Sequence, residues 1–314
     1  MYLFSNVLGV FVFDESFKVI DKLMFKDLQD YQNKNEFIES VKAKHNNLKE
    51  PDEKSLSSIL LYFKTGEFLQ DFKAKNTQLT KRLVKDSVKD DILLIQSLKT
   101  IEETGKAINL LAKRLRDWYD LYNPEFSRSV ESHETFVNEI LENEKKDLLK
   151  KMNISGEDSI GADLEQENLE PLKSLAQQVF GLFQLRKLQL DYISNLMDSL
   201  CPNIKTVCEV MIGAKLIEHA GSLKRLSEMP SSTIQILGAE KALFRHMKTG
   251  AKPPRHGLIV SHPLIAHSDD RMHGKIARNL ADKISIAAKV DYFQGQFVGD
   301  RLKKELEEKF SSKW

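Results

Sequence analysis

Residues 169–200 read LEPLKSLAQQVFGLFQLRKLQLDYISNLMDSL, and this stretch decides the fold. Leu169, Leu172, Ala176, Val179, Phe183, Arg186, Leu190, Ile193, Met197 and Leu200 recur at alternating spacings of three and four, and only Arg186 among them is not apolar. A seam kept that long implies knobs-into-holes packing against another helix. The other positions are strongly polar, as on a helix whose outer side stands in water. The preceding stretch, Glu125 to Met152, carries Phe126, Val130, Val137, Ile140, Leu141 and Leu148 on one side and reads as a single helix. Asn153 to Asp163, with Gly156 and Gly161, is turn chemistry. Two helices joined by a short loop predict an antiparallel coiled-coil hairpin; an ordinary bundle helix is the alternative.

Upstream, a further helical pattern begins near Asp90 with Leu98, Ile101, Gly105, Ile108, Ala112, Leu115, Tyr119 and Tyr122, and stops at Pro124. Trp118 and Tyr119 fall at core spacing within it. Residues 1–25 are of a different kind. Val7 to Phe13 is an apolar run broken only by Gly9, Asp14-Glu15-Ser16 is a polar turn, and Lys18 to Phe25 runs back, which predicts a hairpin buried on both faces. Amphipathic helices are expected at Lys34–Lys44 and Glu53–Lys64, the second ending at Thr65-Gly66. Downstream, helices are expected over Ile204–Ala220 and Leu223–Glu228. The fold class is therefore mostly α with an N-terminal α/β module, divided at about 1–115, 116–230 and 231–314.

Composition limits the function classes. Of the residues, 41% are apolar and 30% charged, with a net charge of +1. The two cysteines, Cys201 and Cys208, fit no zinc spacing and suggest a reducing compartment. No apolar run approaches a membrane span, and the start lacks a basic n-region and a cleavage site, so a cytoplasmic protein is expected. The neutral average conceals a local excess. Between Lys241 and Lys289 there are ten Lys and Arg against three acids, Asp269, Asp270 and Asp282. Lys241, Arg245 and Lys248 share one helical face, and Lys252 and Arg255 flank Pro253-Pro254. In Gly274–Asp291, Lys275, Arg278 and Lys289 lie opposite Ile276, Leu280, Ile284 and Ala287. Such a patch suits a phosphate backbone; three solvated helix faces are the alternative.

Catalytic patterns are missing. No G-x-S-x-G elbow is present, and Lys248-Thr249-Gly250 lacks the glycines of a phosphate loop. His262, His267, Asp269, Asp270 and His273 do not have the spacing of a helical metal pair, and no metal is expected.

STIQILGAEKALFRHMKTGAK (232–252), PPRHGLIVSHPLI (253–265) and GKIARNLADKISIAAKVDYF (274–293), with WYDLYNPEF (118–126) and IGAKLIEHAGSLKRLSEMP (212–230), resemble the Nop domain. That domain belongs to scaffold proteins of box C/D ribonucleoproteins and to a related spliceosomal protein. The presence of residues 1–115 favours the archaeal guide-RNA branch over the splicing type, which stays open as an alternative together with a metal-dependent enzyme. The resemblance implies a non-catalytic scaffold for 2′-O-ribose methylation of RNA in rRNA processing. Its N-terminal domain would bind a fibrillarin-type methyltransferase, which carries S-adenosylmethionine, so no cofactor is expected on this chain. The hairpin would pair with that of a second copy, with Leu172, Ala176, Val179, Phe183, Leu190, Ile193 and Met197 as candidate dimerisation residues. The C-terminal domain would grip a box C/D guide RNA and its substrate RNA, together with a kink-turn-binding ribosomal-type protein. Carried over by motif, the RNA-facing candidates are Gly238, Ala239, Glu240, Lys241, Arg245, Lys248, Lys252, Arg255, Ser261, His262, Arg271, Lys275 and Arg278. Arg271, Lys275 and Arg278 would sit at a helix start whose main-chain N–H groups also meet phosphate. Relatives often carry a larger polar or imidazole side chain where Ser261 stands, and serine cannot stack on a base, so a stacking role is not carried to that position.

Overall fold

A computed structural model describes residues 1–45, 47–64 and 66–310 of the chain. They form two compact units, Met1–Lys89 and Asp90–Trp314.

The first unit is built on a three-stranded antiparallel meander, β1 (Tyr2–Asn6), β2 (Gly9–Phe13) and β3 (Val19–Met24). The expected hairpin thus has one more strand, because the chain already reverses at Val7-Leu8. There the Asn6 side-chain carbonyl accepts the Leu8 amide at 2.8 Å. A second reversal is fixed by Asp14, whose carboxylate accepts the amides of Ser16 and Lys18, both at 2.8 Å. Burial on both faces holds for the central strand β2, whereas β3 alternates between half-buried and exposed residues. Gly9 is required, since a Cβ there would lie 2.2 Å from the Leu23 carbonyl oxygen. Helices follow at α1 (Leu28–Gln32), α2 (Lys34–Lys44), α3 (Glu53–Tyr62) and α4 (Gly66–Asp86). Val10 and Val12 face Phe25 and Val41, while Phe11 and Phe13 face Ile59 and Phe63, so helices cover both sides of the sheet. The sequence reading lacked α4, and Thr65, part of the expected end of α3, lies outside the described residues.

The second unit begins with α5 (Asp90–Tyr119), followed by α6 (Pro124–Ser129), α7 (His133–Glu142), α8 (Lys145–Lys151) and α9 (Gln166–Leu200). α9 has 35 residues, about 52 Å at 1.5 Å per residue. Its antiparallel partner is α5, not the segment that precedes it. Leu94, Leu98 and Ile101 share a core with Ile193 and Met197, while Ala112, Leu115 and Tyr119 share one with Leu172, Ala176 and Val179. The expected single helix over 125–152 is three short ones forming the hairpin tip. Arg116 of α5 interrupts it, donating to the carbonyl oxygens of Ser127 (2.6 Å) and Ser132 (3.2 Å) and to His133 Nδ1 (2.9 Å), with its guanidinium over the Phe136 ring. Ser132 then caps α7. Tyr119 is buried as expected; Trp118 faces solvent. The expected boundary at 115 lies inside α5, so the division between units falls at Lys89 instead.

Beyond the hairpin come α10 (Pro202–Cys208), α11 (Val210–Ala220), α12 (Leu223–Glu228), α13 (Ser231–Ile236) and α14 (Glu240–Thr249). A 3-10 turn (Leu258–Ser261), α15 (Pro263–Ala266), α16 (Asp270–Tyr292) and α17 (Gly299–Phe310) follow. α10 and α11 replace one expected helix because Glu209 stands at φ +66° between them. α16 buries Ile276, Ala277, Leu280, Ala281, Ile284, Ala287 and Ala288 in one core with the base of the hairpin, so no compact boundary exists at 231. The junction of α9 and α10 is pinned by Asp291. Its buried carboxylate accepts the Asn203 amide (3.1 Å), Asn203 Nδ2 (2.6 Å) and the Ile204 amide (2.9 Å), and Asn203 Oδ1 accepts the Val298 amide (2.7 Å). Burial still pushes the Asp291 carboxyl above the usual carboxylate range.

Asp291→Ala would strand three buried donors, so a loss of about 3 kcal/mol or more is expected in urea unfolding. A loss below about 1 kcal/mol would mean that water replaces the carboxylate.

Candidate nucleic-acid interface

The cationic stretch is presented by a clamp and a helix. The Gly257 amide donates to the Gln235 carbonyl oxygen and the Leu258 amide to that of Leu237, both at 2.8 Å, and Gln235 Nε2 reaches the Arg255 carbonyl oxygen at 2.7 Å. A Cβ at Gly257 would stand 2.0 Å from the Leu237 carbonyl oxygen, so only glycine permits the approach. The clamp holds the intervening chain, including α14, as an excursion from the core. Gly238, at φ +86°, turns into α14, and its amide donates to the Glu240 carboxylate at 2.7 Å. That bond holds the Glu240 carboxyl below its usual range. Ala239 is the N-cap residue and makes no side-chain cap. α14 has no buried residue. It exposes Lys241, Arg245 and Lys248, with Phe244 and Met247 exposed among them. The alternation of cations with large apolar residues in KALFRHMK was the sequence signal for those two, and the sequence reading did not use it.

The excursion returns against α16. Arg255 Nη1 donates to the Asp270 carboxylate (2.9 Å) and to its carbonyl oxygen (3.1 Å), and the His256 and His273 rings meet edge to face at 5.7 Å. Burial, and then the neighbouring His273, lower the His256 pKa. Asp269 caps α16, its carboxylate accepting the Arg271 amide at 3.1 Å. The helix start is therefore occupied by its own carboxylate, and any anion meeting α16 there has side chains rather than main-chain amides to meet. Arg271, Lys275 and Arg278 point outward on consecutive turns. Among the described residues neither these three nor Lys241, Arg245, Lys248 and Lys252 makes an ion pair, whereas Lys283 is paired with Glu305. Lys252 is exposed, as is Ser261, whose hydroxyl donates to the Leu258 carbonyl oxygen.

His262 does not belong to this surface. It is 7% exposed. Its Nδ1 accepts the Leu264 amide at 3.2 Å, capping α15, and its Nε2 meets the Val207 carbonyl oxygen at 3.2 Å. With both ring nitrogens engaged inside the core, contact with RNA is closed to it. Burial lowers its pKa.

The candidate dimerisation residues also need correction. Leu172, Ala176, Val179, Ile193 and Met197 are buried within the chain against α5 and the tip helices, so pairing with a second copy is closed to them; Phe183 and Leu190 are half-buried. α9 instead exposes Leu185, Leu188 and Tyr192, which the seam periodicity left out.

Among the described residues no three His, Cys, Asp or Glu side chains cluster as metal ligands, and no helix is long and apolar enough to cross a membrane.

The Nop profile, described as "snoRNA binding domain, fibrillarin", matches residues 100–312. An uncharacterized NOP5 family protein of Methanocaldococcus jannaschii is 40% identical over 255 residues, covering 76% of this chain and 61% of that protein. Nucleolar protein 56 of Caenorhabditis elegans is 35% identical over 245 residues, covering 69% of this chain and 50% of its own length. Nucleolar protein 58 of Schizosaccharomyces pombe is 35% identical over 220 residues, covering 65% and 43%. The chain thus spans about half the length of these curated relatives. A solved chain from a fibrillarin/Nop5p complex aligns over 99% of both chains, with a TM-score of 0.47 and 21% identity.

The His262 cap gives a pH dependence with a definite sign. Its folded pKa lies below the ordinary 6.5, so the unfolded chain takes up the proton first and stability falls as pH drops below about 6.5. Thermal melts of the wild type and His262→Gln from pH 7.5 to 5 should show a smaller acid-side decline in the variant, and parallel curves would remove His262 as the source.

Proposed function

The chain belongs to the Nop family, and from that premise we propose that it is the non-catalytic scaffold of a box C/D guide-RNA ribonucleoprotein. The observation that carries this reading is the outward face of α16, where Arg271, Lys275 and Arg278 stand exposed and unpaired beside the loop held by Arg255. Three cations on successive turns of one rigid helix suit the spacing of a phosphate backbone better than scattered surface charge does. Of the acids nearby, Asp269 is engaged with a main-chain amide and Asp270 with Arg255, while Asp282 stands exposed one turn beyond Arg278.

In this reading the C-terminal part grips guide RNA together with a kink-turn-binding ribosomal-type protein, and substrate RNA pairs with the guide. The first unit takes a fibrillarin-type methyltransferase; the exposed Leu60 and Leu61 of α3 offer apolar area to such a partner. S-adenosylmethionine resides on that enzyme, and this chain contributes position, bringing one ribose hydroxyl to the methyl donor. The setting is the cytoplasm of an archaeal cell. Two copies pair through their hairpins, and the pairing surface is the exposed row Leu185, Leu188 and Tyr192, which follows i, i+3, i+7 spacing on α9.

Lys275→Glu with Arg278→Glu should weaken binding to a kink-turn guide RNA, in the presence of the kink-turn protein, by about tenfold or more and flatten its log–log salt slope by about two. Unchanged affinity and slope would sink the RNA assignment of α16. Leu188→Glu with Tyr192→Glu should turn a dimer into a monomer by light scattering with the melting temperature preserved; a persisting dimer would exclude this row.

A further inference from the structure

The cationic face of α16 does not end with its cations. Phe293, the residue that caps the helix, lies eighteen positions beyond Lys275. Eighteen residues are five full turns, so the two positions share one face of the helix about 27 Å apart along its axis. Asp282, Ile286 and Lys289 fall between them on the same face, and all three are exposed. At the far end Phe293 is 75% and Phe297 51% exposed, with Tyr292 partly open beside them. Large aromatic rings in water at the end of a cationic stripe are not accounted for by the core, which α16 fills from its opposite side.

The aromatic end is held firmly. The Gly295 amide donates to the Val290 carbonyl oxygen (2.8 Å) and the Val298 amide to Asn203 Oδ1 (2.7 Å), fixing both sides of the Gln294–Phe297 turn. The Tyr292 and Phe293 rings meet edge to face with centroids 5.0 Å apart. A Cβ at Gly299 would come within 2.9 Å of the Phe297 ring, so the glycine makes room for it. Gln294 and Gln296 supply neutral amides at the rim, and the one acid between Lys289 and Gly299 is the buried Asp291. No exposed negative charge in the turn repels a phosphate chain.

We infer that Phe293, flanked by Tyr292 and Phe297, is a stacking platform for an unpaired nucleotide of the RNA whose phosphates follow Arg271, Lys275, Arg278 and Lys289. The inference rests on the proposed RNA reading of α16 and adds a single-stranded element to it. Bases released from a helix stack on aromatic side chains and bond their edges to side-chain amides, whereas paired bases are closed to both. The occupant is argued from charge: the row sets Arg271, Lys275, Arg278 and Lys289 against one exposed acid, Asp282, and a nucleotide chain matches that cationic excess by its backbone.

The test uses the full chain with the kink-turn protein and three RNAs: a blunt kink-turn hairpin, the same hairpin with an unpaired extension of about six nucleotides at either end, and the same with a duplex extension. The unpaired extension should tighten binding by about fivefold or more, and the duplex should not. Phe293→Ser should abolish that difference while leaving the blunt hairpin's affinity unchanged. Phe293→Trp should keep it, and Phe293→Leu, apolar but without a ring, should lose it. An extension effect that survives in the serine or leucine variant, or is missing in the wild type, overturns the platform while the parent reading stands. Loss of the kink-turn protein from the Phe293→Ser chain in the absence of RNA would reassign the surface to protein docking. Failure of the wild type to bind even the blunt hairpin would instead bring down the RNA reading itself.

Discussion

A single buried carboxylate holds together the elements on which the second unit is assembled. α9 ends at Leu200, and the chain must turn sharply through Cys201-Pro202 into α10, leaving the first amides of α10 without helical partners. Asp291, from the far end of α16, accepts two of those amides, and Asn203 passes the connection on to the start of α17. These groups are buried, so each must be satisfied or lose free energy. The end of the hairpin is thereby tied to the axis of α16, and the outward face of α16 inherits its direction from that tie.

The charges follow the same economy of partners. The chain is nearly neutral, yet its cations and acids are put to different uses. Glu240 and Asp269 satisfy main-chain amides at the starts of α14 and α16. Asp270 holds Arg255, and Glu305 holds Lys283. What remains unpaired on this surface is mostly positive. A count of charges along the sequence finds the excess; the hydrogen bonds of the fold decide which cations are left over.

The elements with strong periodicity were legible before the structure: α2, the body of α5, α9, α12 and the apolar side of α16 lie where the pattern of residues placed them. Partnership was not legible. The shortness of the loop before α9 suggested that its neighbour in sequence was its neighbour in space, but the shared cores place α5 there, and the intervening segment is broken into three short helices, the first break lying where Arg116 bonds the carbonyl oxygens of Ser127 and Ser132. The candidate interface was readable where it consisted of exposed cations on a helix with a clear buried side. It was misread at His262, since a motif gives the identity of an imidazole and not the side of the protein it faces. It was also misread along the α9 seam, where one spacing serves contacts within a chain and contacts between chains equally well. α4, amphipathic but weakly buried, left no seam to read.

α14 is fastened at its base by the clamp between Gln235–Leu237 and Gly257–Leu258, and none of its residues is buried. A helix of ten residues with none of them buried is below the length of about 12–15 residues at which helices hold in water by themselves. Its amides therefore open without disturbing the core, while those of the clamp exchange only with larger unfolding. A ligand that closes on Lys241, Arg245 and Lys248 must first freeze this segment. Calorimetry of that association would carry a conformational component, an unfavourable entropy and a heat-capacity change larger than the contact area alone would give.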